Sequence, residues 1–421
     1  MNRDRPIVGI DVAKESSYYC ILTPTGEVFL KPFEAKNDLQ GLNYVLERLQ
    51  KTEETFGIKP AVVLESTGHY SSRLVHTFTS HMYEVFLVNP IQSHCIKTAA
   101  IRKVKTDKVD CEDLARLYML KDLAPAHIPS SDLADLKVLC RTLHELIKQK
   151  ARTVSKLAAS LEPIWPGFHL TFSNLSSKGA LAILSNYPSP TSFLRADQEA
   201  VIQSIAIVSR RNRCFAEKKY QILRQTAEEA LLIGVPVRAY AVTVETWVVC
   251  LKQIIDLIDD LNTSIRSLSS NISDVALLQT IPGIVESLTP IIAGEIGGIN
   301  RFYNAKQLVA YAGVDPSVRQ SGKFVGTKNK ITKRGSPYLR WAIFIAATVS
   351  VRKDSRGFLN PVIGEYYENK IKTKAKKQAL GAIMNKILRI IFSVLKSRKP
   401  FELRTSLNLV VKDQNRQLTV A

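Results

Sequence analysis

Residues 6–30 decide the fold class: Pro6-Ile7-Val8-Gly9-Ile10-Asp11, then Ser17-Tyr18-Tyr19-Cys20-Ile21-Leu22-Thr23, then Glu27-Val28-Phe29-Leu30 beyond a Thr25-Gly26 turn. Short runs of β-branched and aromatic residues, parted by polar or glycine-bearing turns, predict three strands in a meander. Asn37 or Asp38 can cap a helix running to about Lys51, with Leu39, Leu42, Val45, Leu46 and Leu49 on its apolar face. A strand over 61–65, a helix near 68–82, a strand over 84–88 and helices from about 91 to 121 complete this part.

A meander followed by alternating helices and strands is the pattern of an RNase H-like α/β domain. A doubly wound nucleotide-binding domain would instead follow its first strand with a helix. From about 131 the pattern turns helical. Residues 131–162 space Leu133, Leu136, Leu139, Leu143 and Leu146 on one face, and 236–271 do the same with Val244, Val248, Leu251, Ile255, Ile258, Leu261 and Ile265. Either helix can be an arm of an antiparallel coiled coil or of a helical bundle. Residues 163–235, broken at Trp165-Pro166 and Pro188-Ser189-Pro190, read as a helical insertion. Near Asp274 a third part begins: helix, tight Pro282-Gly283-Ile284 hairpin and helix, a helix-hairpin-helix-like motif that would offer backbone N–H groups to a phosphate. A polar loop over 315–340 and helices near 335–352, 358–369 and 374–397 follow.

The 421 residues carry a net charge of +20, and residues 301–400 hold 22 Lys and Arg against 4 Asp and Glu. A positive block of that size selects polyanions, nucleic acid or an anionic membrane. The apolar stretch Trp341–Val349 is about half a membrane span, and no leader precedes the first strand, so nucleic acid is the expected partner. The six cysteines are scattered without a CxxC pair, which argues against zinc and for buried thiols in a reducing cytoplasm. All seven histidines precede residue 170, which excludes a histidine base in the basic block.

In that basic chain, four carboxylates stand out. Asp11 closes the apolar run Ile7–Ile10, Glu65 closes Ala61–Leu64, and Asp107 and Asp110 share a helix face. Carboxylates from two strand ends and a helix can hold two Mg²⁺ (or Mn²⁺) ions about 4 Å apart, the arrangement that activates a nucleophile and stabilises a leaving oxygen in phosphodiester cleavage. Glu112 and Asp113 compete for the helical places, and spacing alone does not separate Asp113 from Asp110.

A second constellation lies in the loop. Ser321, between Gln320 and Gly322, sits among Arg319, Lys323, Lys328, Lys330, Lys333 and Arg334, cations that lower the cost of a serine alkoxide attacking phosphorus. A plain phosphate-binding loop is the simpler reading, and Ser317 and Ser336 are rivals. Lys372, Lys374, Lys376 and Lys377, just after Tyr366 and Tyr367, fit contacts to a nucleic-acid backbone.

The set GIDVAK, LESTGHY, KTDKVDCEDLARLY, PGI, LVAYAGVDPS, SGK and ITKRGSPYLRWAI resembles the DEDD-type insertion-sequence transposases, which act as bridge-RNA-guided recombinases. The resemblance covers about 5–125 and 275–400. It implies a RuvC-like domain over 1–125, a coiled-coil region with an insertion over 126–273, a C-terminal transposase domain over 274–402 and a tail over 403–421. It implies a metal-binding tetrad at Asp11, Glu65, Asp107 and Asp110, and a nucleophilic serine best matched by Ser321. Strand exchange between donor and target DNA, pairing with a structured bridge RNA, a tetramer built from dimers and a bacterial cytoplasmic location also follow from it. Competing readings are a metal-dependent, junction-resolving nuclease using the acids alone, an actin-like sugar kinase or ATPase, and a non-catalytic RNA-binding scaffold.

The charge distribution yields one expectation for any of the nucleic-acid readings. Affinity for DNA or RNA, measured from about 50 to 200 mM salt, falls by roughly 10³-fold or more as Lys and Arg contacts release counterions; a flat response contradicts the role given to the C-terminal block.

Overall fold

The computed structural model describes residues 4–66, 68, 70–90, 93, 106–120, 123–317, 320–321, 324–325, 330–355 and 357–403. The chain divides into two compact units, Met1–Ile128 and Pro129–Ala421.

The first unit is a mixed five-stranded sheet flanked by helices. Strands β1 (Ile7–Val12), β2 (Ser16–Leu22) and β3 (Val28–Lys36) form an antiparallel meander, and β4 (Ala61–Glu65) and β5 (Val85–Val88) add in parallel beyond β1. The strand order is β3-β2-β1-β4-β5, so β1 is central. β3 runs six residues past Leu30 because Pro32 lies on an edge strand, where a missing N–H breaks no ladder. Helix α1 (Leu39–Phe56) starts at Asp38, whose side chain accepts from Gly41 N at 2.8 Å, and stops at Gly57 in the left-handed region. α2 (Tyr70–Ser80) links β4 to β5, and α3 (Asp107–Leu120) ends the unit.

Side-chain alternation along β1 splits the interior in two. Val8, Ile10 and Val12 pack with Val45 and Leu49 of α1 and Leu74 and Phe78 of α2. Ile7 packs on the other face with Cys111, Leu114, Ala115 and Tyr118 of α3. Gly9 shares that second face, and a Cβ there would stand 1.9 Å from the Cys111 carbonyl oxygen and 2.8 Å from Ala115 N. The backbone of α3 therefore lies directly on β1.

The second unit is helical. α4 (Ser131–Leu161) and α10 (Ala239–Ser269) are antiparallel 31-residue helices, each roughly 46 Å long at 1.5 Å per residue. Between them lie α5 (Phe168–Thr171), α6 (Lys178–Asn186), α7 (Pro190–Leu194), α8 (Gln198–Ser209) and α9 (Arg213–Ile233). Two cores form at opposite ends of the pair. Leu157, Leu161, Val244, Val248 and Leu251 join Trp165, Phe168, Phe193 and the helices α6–α9. Leu136, Cys140, Leu143 and Ile265 join the C-terminal helices. Those are α11 (Ser273–Gln279), α12 (Thr289–Ile296), α13 (Ala305–Ala312), α14 (Pro337–Ser350), α15 (Pro361–Ile371) and α16 (Lys376–Ser397).

Three sequence expectations change. α16 is long and apolar enough to pass for a membrane span, but Ala379, Ile383, Ile387, Leu388, Ile391 and Leu395 account for its apolarity by packing into the C-terminal core. The Pro282-Gly283 turn is packed against protein: the Pro282 carbonyl accepts from Asn360 Nδ2 at 3.1 Å, and Gly283, at φ 97°, leaves no room for a Cβ beside Ser350. α12 then starts at Thr289, which is fully buried, while the exposed turn ahead of it carries Glu286, whose charge opposes a phosphate. The cysteines also divide, with Cys20, Cys111 and Cys140 buried and Cys214 exposed in the first turn of α9.

The close approach at Gly9 makes a direct prediction. Gly9→Ala should lower stability by about 1–3 kcal/mol, read from the urea midpoint, because two backbone atoms must move to admit one methyl; an unchanged midpoint contradicts the packing.

Candidate active site

Asp11 is the fifth residue of β1 and lies two positions beyond Gly9, so it points to the α3 face. β4 pairs in parallel with β1 through Ile10↔Leu64, and Asp11 and Glu65 are the next residue on each strand. Partners in a parallel ladder face the same way about 4.8 Å apart, so these two half-buried carboxylates are neighbours on the side covered by α3. Both occupy strands that are otherwise apolar because helices cover both faces of the sheet.

α3 brings the other two acids. Cys111 seats the helix on Gly9; Asp110, the residue before it, is only 6% exposed, and Asp107 lies in the exposed first turn. A hydrogen bond shows which way the helix runs: Arg5, ahead of β1, donates from Nη2 to the Tyr118 hydroxyl, late in α3, at 3.0 Å. Burial and the Asp11 charge help push the Cys111 thiol up, after its leading interaction with Cys20. The Tyr18 phenol, facing Asp11 across the β1–β2 ladder, is raised first by Glu34 and also by the charge of Asp107. The first turn of α3 thus lies toward the Asp11 end of β1.

Of the two rivals, Glu112 is set apart by an ion pair. Glu112 is paired with Arg116 one turn on, Nη2 to Oε1 at 2.5 Å, an ordinary surface helix pair. Asp113 is half-buried further along α3. Ser93, which sequence reasoning missed, lies with its Oγ 2.7 Å from Glu65 Oε2 and orients that carboxylate. A helical serine shortly after β5 gives no signal that its partner lies 28 residues away.

Among the described residues, no three His, Cys, Asp or Glu side chains come close enough to form a cage around an ion. The donors are all carboxylate oxygens, the chemistry of a hard divalent cation. Magnesium keeps several waters and takes only one or two carboxylates beside substrate phosphates. The adjacent Asp11 and Glu65 meet that requirement, whereas a site for a soft or fully protein-caged metal would not fit.

In the second unit, the segment between α13 and α14 forms a ribbon. Thr332 N donates to Asp315 O at 2.9 Å, Ser317 N donates to Lys330 O at 2.7 Å, and Pro316 bridges Ile331. Further out, β6 (Gln320–Ser321) pairs with β7 (Phe324–Val325), with Ser321 opposite Phe324. Arg319, Lys323 and Lys328 fall outside the described residues. Lys330, Lys333 and Arg334 are exposed along the returning strand, as are Lys372, Lys374, Lys376 and Lys377 between α15 and the start of α16. Ser336 is not free to act as a nucleophile: its Oγ accepts from Leu339 N at 3.1 Å, capping α14, and donates to Glu295 Oε2 at 2.7 Å.

Comparison with known proteins accords with this layout. A family model for DEDD transposases of the IS110 type matches residues 8–166, and one described as the IS116/IS110/IS902 transposase family matches 275–368. A pilin gene-inverting protein from Moraxella bovis is 26% identical over 94% of this chain and 98% of its own length. An insertion element IS116 protein from Streptomyces clavuligerus is 22% identical over 94% and 96%. The mini-circle putative transposase for IS117 from Streptomyces coelicolor is 25% identical over 76% and 79%.

The N-cap at Ser336 is separately measurable. Ser336→Ala should cost about 1 kcal/mol in urea unfolding, the usual value of a lost cap, and Ser336→Thr should restore most of it; equal midpoints for all three proteins contradict the capping geometry.

Proposed function

Because the chain belongs to the IS116/IS110/IS902 transposase family, we propose that it recombines insertion-sequence DNA, cleaving and rejoining donor and target strands under the direction of a structured bridge RNA. One observation carries this reading. The two family matches fall separately on the segment with the four carboxylates and on the segment with Ser321, which supports assigning both halves of the chemistry to a single chain.

Asp11, Glu65, Asp107 and Asp110 would hold Mg²⁺ or Mn²⁺. Such an ion, when bound, stabilises negative charge on the attacking and leaving oxygens. Ser321 attacks the scissile phosphorus through Oγ. The Oγ–P bond forms as the P–O bond to the departing strand breaks, and that strand leaves as an alcohol carrying a proton. A hydroxyl end of the second DNA strand then attacks the same phosphorus, rejoins the backbone and returns the serine hydroxyl. The phosphodiester energy is conserved throughout. Arg319, Lys323, Lys328, Lys330, Lys333 and Arg334, close to Ser321 in sequence, would supply positive charge for the attack, and Lys372, Lys374, Lys376 and Lys377 would supply backbone contacts. Base pairing with the RNA selects both DNA sites, so the side chains need not encode a sequence.

The acids and the serine lie in different units, which supports a tetramer built from two dimers in which one protomer's serine completes another's acidic site. The setting would be the bacterial cytoplasm, at the nucleoid. The pilin-inverting relative favours a second reading of the same chemistry, exchange between two sites on one DNA molecule so that a segment is turned round.

Ser321→Ala and Asp11→Asn should each reduce strand exchange by about 10³-fold or more while nucleic-acid binding persists. Glu112→Gln, altering a carboxylate already paired with Arg116, should stay within about twofold. Mixing the Ser321→Ala and Asp11→Asn chains should restore part of the exchange. Exchange that survives Ser321→Ala would leave a nuclease using the acids alone.

A further inference from the structure

We infer that Glu295, held by Arg141 and bonded to Ser336, is the positioning residue that aims the serine ribbon; this rests on the reading of Ser321 as nucleophile. The ribbon leaves α13 after Tyr311-Ala312 and rejoins the fold at Ser336, and both roots attach to Glu295. Tyr311 OH donates to the Glu295 backbone oxygen at 3.1 Å, and Ser336 Oγ donates to its carboxylate at 2.7 Å. The roots are also tied to each other, with Ser336 N donating to Tyr311 O at 2.8 Å and Lys333 N to Gly313 O at 3.1 Å. Gly335 has no space for a side chain, since a Cβ would lie 1.9 Å from the Tyr311 oxygen. Arg340 Nη1 adds a bond to Ala312 O at 3.1 Å.

Glu295 is itself immobilised. It is 1% exposed on α12 and receives both arms of the Arg141 fork, Nε to Oε1 at 2.5 Å and Nη2 to Oε2 at 3.0 Å. Arg141 comes from α4 and lies over the Tyr338 ring at 4.7 Å, so the long helix, α12 and the start of α14 meet at one carboxylate. α12 reaches α4 that closely because a Cβ on Gly294 would lie 2.8 Å from Lys137 N.

Packing alone gives no reason for this contact. Apolar side chains of similar volume would fill the space at no loss of stability, and often with a gain. A forked ion pair extended by a hydroxyl instead fixes direction, because each bond has a required angle. Direction is what a ribbon rooted at Tyr311 and Ser336 requires if Ser321, further along it, is to meet a phosphorus repeatedly. With both carboxylate oxygens engaged by Arg141 and one shared with Ser336, Glu295 holds the ribbon and takes no proton from the reacting serine.

The test compares the wild-type holoenzyme, with its RNA and divalent ion, against Glu295→Gln, Ser336→Ala, Ser336→Thr and Ser321→Ala. Single-turnover formation of the covalent protein–DNA product is followed at saturating DNA, alongside DNA affinity and amide exchange at Ser317 and Thr332. Glu295→Gln and Ser336→Ala should slow covalent product formation by about ten- to a hundredfold, the scale of an ångström-level misplacement, with affinity within about twofold and faster exchange at both amides. Ser336→Thr, which keeps the hydroxyl, should recover the rate. An unchanged rate, or a loss confined to DNA affinity, overturns the positioning role. If Glu295→Gln does not fold, the Ser336 pair alone decides. Covalent product from Ser321→Ala would instead remove the nucleophile reading while leaving the contact itself in place.

Discussion

The absence of a side chain at Gly9 is the constraint on which the first unit's candidate chemistry depends. It lets the Cys111 backbone lie on the central strand, and the alternation of β1 then turns Asp11 toward the same helix. Parallel pairing adds Glu65 beside Asp11, and the first turn of α3 adds Asp107 and Asp110. Acids from distant stretches of chain thereby lie on the α3 side of one sheet, and among the described residues no three of them close around an ion. A bulkier residue at position 9 would lift the helix and separate its acids from those of the strands.

The second unit handles charge in the opposite way. Its basic surplus is on the surface, where counterions and nucleic acid can screen it, while Glu295 is buried and fully engaged. A buried carboxylate without its fork would be costly, so Arg141 and Glu295 depend on each other. The two long helices connect this cluster to a separate core around Trp165, most of whose helices lie between the two matched segments of the chain. That core has its own aromatic packing, Trp165 against Phe168 and Phe193, so the insertion can be stable without altering the ribbon's roots.

What the sequence revealed, and what it concealed, follows from how far apart the partners lie. Asp11 and Glu65 are legible because each ends an apolar run, and a charge at the end of a doubly covered strand is conspicuous. Asp38 is legible as a cap because its bond spans three residues. Pro32 hid the second half of β3, since tolerance for proline depends on an edge position that only the assembled sheet defines. Asp110 and Asp113 share a spacing, and Ser317, Ser321 and Ser336 share a composition. For Ser336 the structure supplies what composition lacks, a cap bond and a buried acceptor. Glu295 carried a faint signal as the one acid in the apolar stretch LTPIIAGEIG, but its partner is 154 residues away and local pattern could not find it.

The account turns on which atom joins the protein to DNA. The direct measurement is to trap the covalent intermediate on a substrate that cannot be rejoined, digest the protein and locate the nucleotide-bearing peptide by mass spectrometry. The account predicts a phosphodiester on Ser321, within the segment between α13 and α14, and dependent on Asp11. A linkage to a tyrosine or to another serine, or cleavage with no linkage at all, would contradict it.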